Sequence, residues 1–255
     1  MSEAVLCRRD GRTATVTLNR PPLNILDLPT LARLGEVLAD LAADAELQLV
    51  FLRGQGDRAF SAGVSVQDHT PDKIGAMLAG LHGAIRRLRD LPAVAVAAVH
   101  GHCLGGGMEL ALACDLVLAT EDSRFGQPEI DLGCYPPAAA ALYPALLGAP
   151  RTLELLLTGR TFTGEEAERL GLVTWRVPAG GLDMGIAEVA ADLTGKSAAV
   201  TRLAKRAVRA GRDLPFAQAL AETERLYLEE LSRTADMEEG LAAFVEKRKP
   251  VWKHR

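Results

Sequence analysis

Three consecutive glycines, Gly105-Gly106-Gly107, stand between an apolar run, Ala93 to Val99, and a segment of good helix formers, Met108 to Cys114. The order reads as a buried strand, a tight turn and a helix start. Where such a turn feeds a helix, backbone N–H groups face outward with no side chain to block them. The helix dipole adds positive potential at the same end. A site of this kind suits a phosphate, or an oxygen that turns negative during a reaction. Glu109 stands in the first turn of the helix. A phosphate cradle more naturally carries Lys or Ser there, so the stretch reads as an anion hole beside an acid/base group.

The chain has 255 residues, 48% hydrophobic and 24% charged, which suffices for one domain with a substantial core. Its net charge of −4 argues against a nucleic-acid partner. The four cysteines, Cys7, Cys103, Cys114 and Cys134, show no CxxC spacing, so neither a zinc site nor a disulfide framework is expected. Met1-Ser2-Glu3 opens no apolar signal core, and no run reaches membrane-spanning length. The expected location is the cytoplasm, with reduced thiols.

Along the chain, Ala4 to Arg8 and Thr13 to Leu18 flank Asp10-Gly11 as a β-hairpin. Asp27 is placed to cap a helix carrying Leu31, Leu34, Leu38 and Leu41 at helical spacing. Strands are expected at Leu47 to Leu52, Val94 to Val99, Asp115 to Ala119 and Leu172 to Val177, with a helix from Pro71 onward. Thr163-Gly164-Glu165-Glu166 forms a capping box, and Gly171 marks a helix end. Amphipathic helices are expected over Ala198 to Arg209, Phe216 to Leu231 and Met237 to Lys247. The alternation argues for an α/β core, with no sequence repeat of fixed period. The expected division is a core over 1–195 and a helical region over 196–255.

Glu129, in Phe125-Gly126-Gln127-Pro128-Glu129-Ile130, is the second carboxylate of interest. It follows the strand after the Glu109 helix, so the chain can return it to the same pocket. Two carboxylates in an apolar cleft can divide proton transfer, one accepting and one donating. Ser61-Ala62-Gly63-Val64 is a small-residue loop whose Val64 N–H could join that of Gly106. His69, His82, His100 and His102 show no metal-ligand spacing, and no Gly-x-Ser-x-Gly elbow is present. Arg202, Lys205, Arg206, Arg209 and Arg212 form a basic helix face, read as a solvated surface or as a landing place for phosphates.

These two loops, with Gln127-Pro128-Glu129, resemble the crotonase (enoyl-CoA hydratase/isomerase) superfamily, from Leu18-Asn19-Arg20-Pro21 to the segment Ala243 to Pro250. The resemblance implies a spiral of ββα units with a C-terminal helical region that forms a trimer or a dimer of trimers. It implies an acyl-CoA thioester whose carbonyl oxygen accepts N–H bonds from Val64 and Gly106, with Glu109 and Glu129 as catalytic glutamates. It places Ala62, Ser65, Val66, Gln67, Tyr135, Pro137, Phe244 and Lys247 against the substrate. No metal or redox cofactor is implied, since coenzyme A arrives as part of the substrate. Retention of both glutamates favours hydration over isomerisation or decarboxylation on the same scaffold. A non-catalytic or RNA-binding member is the alternative from another class.

Two departures stand out. Pro137 falls where a glycine N–H commonly helps to hold water, and proline has none to give. Ser65 follows Val64 where Asp is common. An altered pocket is therefore expected. Asn24-Ile25-Leu26-Asp27, Asp68-His69-Thr70 and Tyr135-Pro136-Pro137 are similar to the hydratases of cyclic dienoyl-CoA esters, which act on cyclohexa-1,5-diene-1-carbonyl-CoA.

Overall fold

The computed structural model describes residues 3–255; Met1 and Ser2, part of the stretch read as lacking a signal core, lie outside them. Ten strands run in chain order as β1 (Val5–Asp10), β2 (Thr13–Leu18), β3 (Leu49–Gly54), β4 (Ala59–Ser61), β5 (Val94–Val99), β6 (His102–Leu104), β7 (Leu116–Thr120), β8 (Arg124–Gly126), β9 (Thr161–Thr163) and β10 (Trp175–Val177). The helices are α1 (Leu28–Ala42), α2 (Ile74–Asp90), α3 (Gly106–Ala113), α4 (Pro137–Leu142), α5 (Pro144–Leu147), α6 (Ala149–Thr158), α7 (Gly164–Arg169), α8 (Leu182–Thr194), α9 (Ala198–Gly211), α10 (Phe216–Glu229) and α11 (Ala235–Val245).

Two sheets carry the fold. The larger has the order β1-β2-β3-β5-β7-β10, and the smaller β4-β6-β8-β9. Within the larger sheet only the β1–β2 hairpin is antiparallel. Parallel strands are covered on both faces, which is why β5, Val-Ala-Val-Ala-Ala-Val, has no polar side. One face of the large sheet packs Val50, Leu52, Ala95 and Ala97 in a core shared with Leu34, Leu38, Leu81, Ala84 and Leu88 from α1 and α2. The other face packs Phe51, Val96 and Leu118 against Leu182 and Val189 of α8.

The chain passes from the large sheet to the small one three times, β3 to β4, β5 to β6 and β7 to β8, before each helical stretch. This ββα repetition is one of structure and not of sequence. The small sheet is the part that periodicity does not reveal. Its strands are three residues long, too short for alternation to register.

Asp27 caps α1 by accepting from the Thr30 N–H, and Thr163 caps α7 through the Glu166 N–H. Two expectations need correction. The helix anticipated from Pro71 begins at Ile74, because Lys73 and Ile74 first close a turn onto the Thr70 carbonyl. The strand anticipated over Leu172 to Val177 shrinks to Trp175–Val177. Leu172 and Val173 direct their N–H groups to the Ala167 carbonyl and finish the α7 turn instead of pairing with β7. None of the helices among the described residues is long and apolar enough to cross a membrane.

Candidate active site

The site forms where β4, β6 and α3 meet. Gly105 has φ +52°, and Gly63 opposite has φ +98°, so both turns use backbone that L side chains rarely adopt. A Cβ on Gly63 would lie 3.5 Å from the Gly106 nitrogen, and one on Gly106 would lie 3.6 Å from the Val64 nitrogen. The two amides expected to form an anion hole are therefore neighbours. Neither donates to another backbone or side-chain group among the described residues. At Gly107 the constraint is close approach, since a Cβ would stand 2.5 Å from the Ser61 carbonyl oxygen.

Asn24 holds the Val64 loop in place. Fully buried at φ 49°, it donates its side-chain amide to the carbonyls of Ala59 (2.7 Å) and Gln55 (3.0 Å). Its own carbonyl accepts from the Ser61 hydroxyl at 2.8 Å, and that hydroxyl accepts from the Gly63 N–H at 3.2 Å. The Asn24 amide and the Ser61 hydroxyl of this buried corner are thereby satisfied.

α3 is buried at all eight of its residues, which carries Glu109 inward to 3% exposure. Burial pushes the Glu109 carboxyl up, against the backbone N–H groups of Ala139 and Ala138, which favour its anion. The Ala139 bond to Oε1 is 2.8 Å. Both donors belong to the first turn of α4, where helix N–H groups lack partners within the helix. Pro137 is the first residue of α4, a position where a missing N–H costs nothing within the helix.

Glu129 lies in a short 3-10 turn, Pro128–Leu132, directly after β8. A Cβ on Gly105 would stand 2.6 Å from its Oε1, so this carboxyl abuts the glycine turn that starts α3. Its pKa is pushed up to about 7, first by burial and further by the negative charge of Glu109. Glu109 is thus near enough for its charge to act on the Glu129 carboxyl and favour the protonated form there.

Two groups that sequence reading did not single out complete the cluster. One end of the Gln127 side-chain amide is 2.5 Å from the Tyr143 hydroxyl, and the other is 3.0 and 3.2 Å from the Glu129 oxygens. With the NH2 end toward Glu129 both ends of the amide are satisfied: the NH2 donates to the carboxyl oxygens and the amide oxygen accepts from the Tyr143 hydroxyl. Gln127 had a signal in its place beside Pro128-Glu129. Tyr143 had none, being brought in only by the turn between α4 and α5.

The remaining expected contact residues divide. Ala62 and Ser65 are half-buried in the Val64 loop, and Val66 and Gln67 are exposed just beyond it. Tyr135 is 66% exposed at the rim before α4. Phe244 and Lys247 are not brought to this cluster by their own chain: α11 packs against α9 and the turn over Leu231–Arg233. Phe244 is 84% exposed there.

The basic helix face divides: Arg206 and Arg212 are exposed, whereas Arg202, Lys205 and Arg209 are half-buried against the sheet. Lys205 and Arg209 each reach Asp115 at 2.6 Å, Lys205 also donates to the Ala93 carbonyl, and Arg202 donates to that of Ala45. These cations pin α9 to the chain segments that enter β3, β5 and β7, inner strands of the large sheet. A groove of about 560 Å³ beneath α9, bounded by Arg89, Pro92, Leu203 and Arg206, shares no residue with the carboxylate cluster. Among the described residues no group of three His, Cys, Asp or Glu side chains is arranged to hold a metal ion.

A family model described as enoyl-CoA hydratase/isomerase matches residues 8–255. A cyclohexa-1,5-dienecarbonyl-CoA hydratase of Thauera aromatica is 39% identical over the full length of both chains. A short-chain-enoyl-CoA hydratase of Clostridium acetobutylicum is 33% identical, covering 96% of this chain and 95% of its own. The crystal structure of an enoyl-CoA hydratase from Bacillus anthracis superposes with a TM-score of 0.93 at 31% identity, over 99% of this chain and all of that one. The sequence match and the shared architecture agree, and the chain belongs to the enoyl-CoA hydratase/isomerase family.

Proposed function

We propose that the protein adds water across the conjugated double bond of an acyl-CoA thioester. The observation that carries this reading is the pairing of two free, adjacent amides, Val64 and Gly106, with a buried carboxyl, Glu109, and a half-buried one, Glu129, whose proton affinities are both raised. The thioester oxygen accepts from both amides. As water attacks the β-carbon, charge moves onto that oxygen as an enolate, which the fixed N–H groups stabilise. Loss of one such donor typically costs on the order of 10²- to 10³-fold in rate.

The environments of the glutamates assign their roles. Glu109 has backbone donors that favour its anion, so it accepts the proton of the attacking water. Glu129, pushed to about 7, holds a proton near neutrality and delivers it to the α-carbon. The chain itself supplies every proton transfer, and coenzyme A enters with the substrate.

For the acyl group we infer a cyclic dienoyl thioester, cyclohexa-1,5-diene-1-carbonyl-CoA. Supporting this are the similarity to the Thauera aromatica protein and the ring and two prolines of Tyr135-Pro136-Pro137 beside the carboxylates. Because α11 packs against α9 and leaves Phe244 84% exposed, we assign any contact of Phe244 and Lys247 with coenzyme A to a neighbouring copy, as in a trimer. The test is an assay of linear enoyl-CoA and cyclic dienoyl-CoA esters, following loss of the conjugated thioester absorbance. Preference for the cyclic ester, relaxed toward linear esters in Pro137→Gly, supports the reading. No turnover of any conjugated ester would remove it. Turnover of linear esters alone would leave hydration and remove the cyclic substrate.

A further inference from the structure

Tyr143 is fully buried, yet it carries a hydroxyl whose partner is an amide touching a proton-transferring carboxyl. A Gln side chain can present either end to its neighbours, and the two ends have opposite effects on a carboxylate. Its NH2 stabilises the anion, whereas its oxygen repels the anion and accepts from the protonated acid. What decides the orientation is therefore whatever lies at the far end. There the phenol can donate to the amide oxygen.

We propose that Tyr143 is a positioning residue for Glu129: by donating to the Gln127 oxygen it locks the amide with its NH2 against the carboxylate, which fixes the carboxyl's aim at the substrate and restrains its proton affinity. The inference rests on the assignment of Glu129 as proton donor for its effect on turnover, though not for its effect on the carboxyl itself. The charged group acting on Glu129 is Glu109 from α3, while Cys134 from the following turn and Tyr143 lie near enough for the Glu129 charge to raise their own proton affinities. Asp131, on the same turn as Glu129, faces Gly159 instead. Among these the only group whose loss reorients Gln127 is the phenol. Burial holds the Tyr143 hydroxyl well above its ordinary range, so it remains a donor throughout the working pH.

In Tyr143→Phe the amide loses its lock, and the anion of Glu129 loses a dependable donor. The proton is then held more tightly, so the alkaline limb of the kcat profile moves to higher pH, by roughly half to one unit. Turnover falls about tenfold through lost alignment, with KM little changed. Gln127→Met produces the same shift, and the double variant produces no larger one. The carboxyl band of Glu129, identified by its loss in Glu129→Gln, is titrated by infrared difference spectroscopy without substrate, and it shifts upward in both single variants. An unshifted band in Tyr143→Phe overturns the proposal, as does a lower melting temperature with an unchanged pH profile. Should Tyr143→Phe fail to fold, Gln127→Met decides, since an unshifted band there is equally fatal. If the band shifts but the wild type hydrates no enoyl-CoA, the positioning role stands and the hydratase reading falls.

Discussion

Ala139 donates its backbone N–H to Oε1 of Glu109 at 2.8 Å, tying a carboxylate on α3 to the first turn of a helix thirty residues further on. The bond fixes where the carboxyl points and favours its anion in a site where burial works against charge. An acid held this way is aimed before the substrate arrives, which removes an ordering step from the reaction.

Replacing Glu109 or Glu129 by Gln keeps shape and volume but abolishes proton exchange. At position 109 the amide oxygen can still accept from Ala139, so the fold is expected to hold. Each variant should lose turnover on the order of 10²- to 10⁴-fold. Calorimetric titration with a saturated acyl-CoA should show binding close to wild type.

The raised pKa of Glu129 makes both activity and stability depend on pH. Since the reaction needs its acid form, kcat should fall as pH rises through about 7, and this limb should vanish in Glu129→Gln. For stability, the folded chain keeps a proton that the unfolded chain, with a value near 4.5, releases. Between those values the folded state binds more protons, so stability is lost as pH rises. Urea denaturation at pH 5 and pH 8 should show Glu129→Gln gaining on wild type at the higher pH by about 1–3 kcal/mol.

Gly107→Ala should damage the anion hole without touching a titratable group. The new methyl would meet the Ser61 carbonyl oxygen at 2.5 Å and its Cβ at 2.8 Å, and neither can move without dragging the Gly63–Val64 loop. Overpacking of this kind costs about 1–3 kcal/mol. Turnover should fall further than stability suggests, because Val64 and Gly106 separate. Equal losses in the two would count against the paired amides.

Asp115 is the anchor of α9. It accepts from the Ala95 N–H at 2.8 Å and pairs with Lys205 and Arg209, and the Lys205 side chain is only 9% exposed. Burial pulls the Lys205 pKa down, so the carboxylate is what keeps it charged. Asp115→Ala should cost about 3–5 kcal/mol, the usual range for stranding a buried charge. Amide hydrogen exchange should localise the loosening to α9 and leave α3 protected.

Much of the site was legible in the sequence because local chemistry specifies it. Gly105 and Gly63 require backbone conformations that other residues resist, and Glu109 sits one turn inside a helix that is apolar all round. The β5 run, the Asp27 cap and the hairpin at Asp10-Gly11 follow from the same short-range rules. What adjacency in sequence cannot supply is the partner of each group. Arg202, Lys205 and Arg209 have helical spacing whether their face meets water or strand starts, and only Asp115 and the carbonyls of Ala93 and Ala45 decide it.

The sequence by itself determined an α/β chain with a glycine-rich turn into a helix and an acid in its first turn, since backbone sterics and hydrophobic period act over a few residues. Tertiary structure alone decided that Ala139 would donate to Glu109, that Tyr143 would reach Gln127, and that α11 would pack against α9. Those pairings join residues far apart in the chain. They exist only once two sheets and their helices have closed on one core.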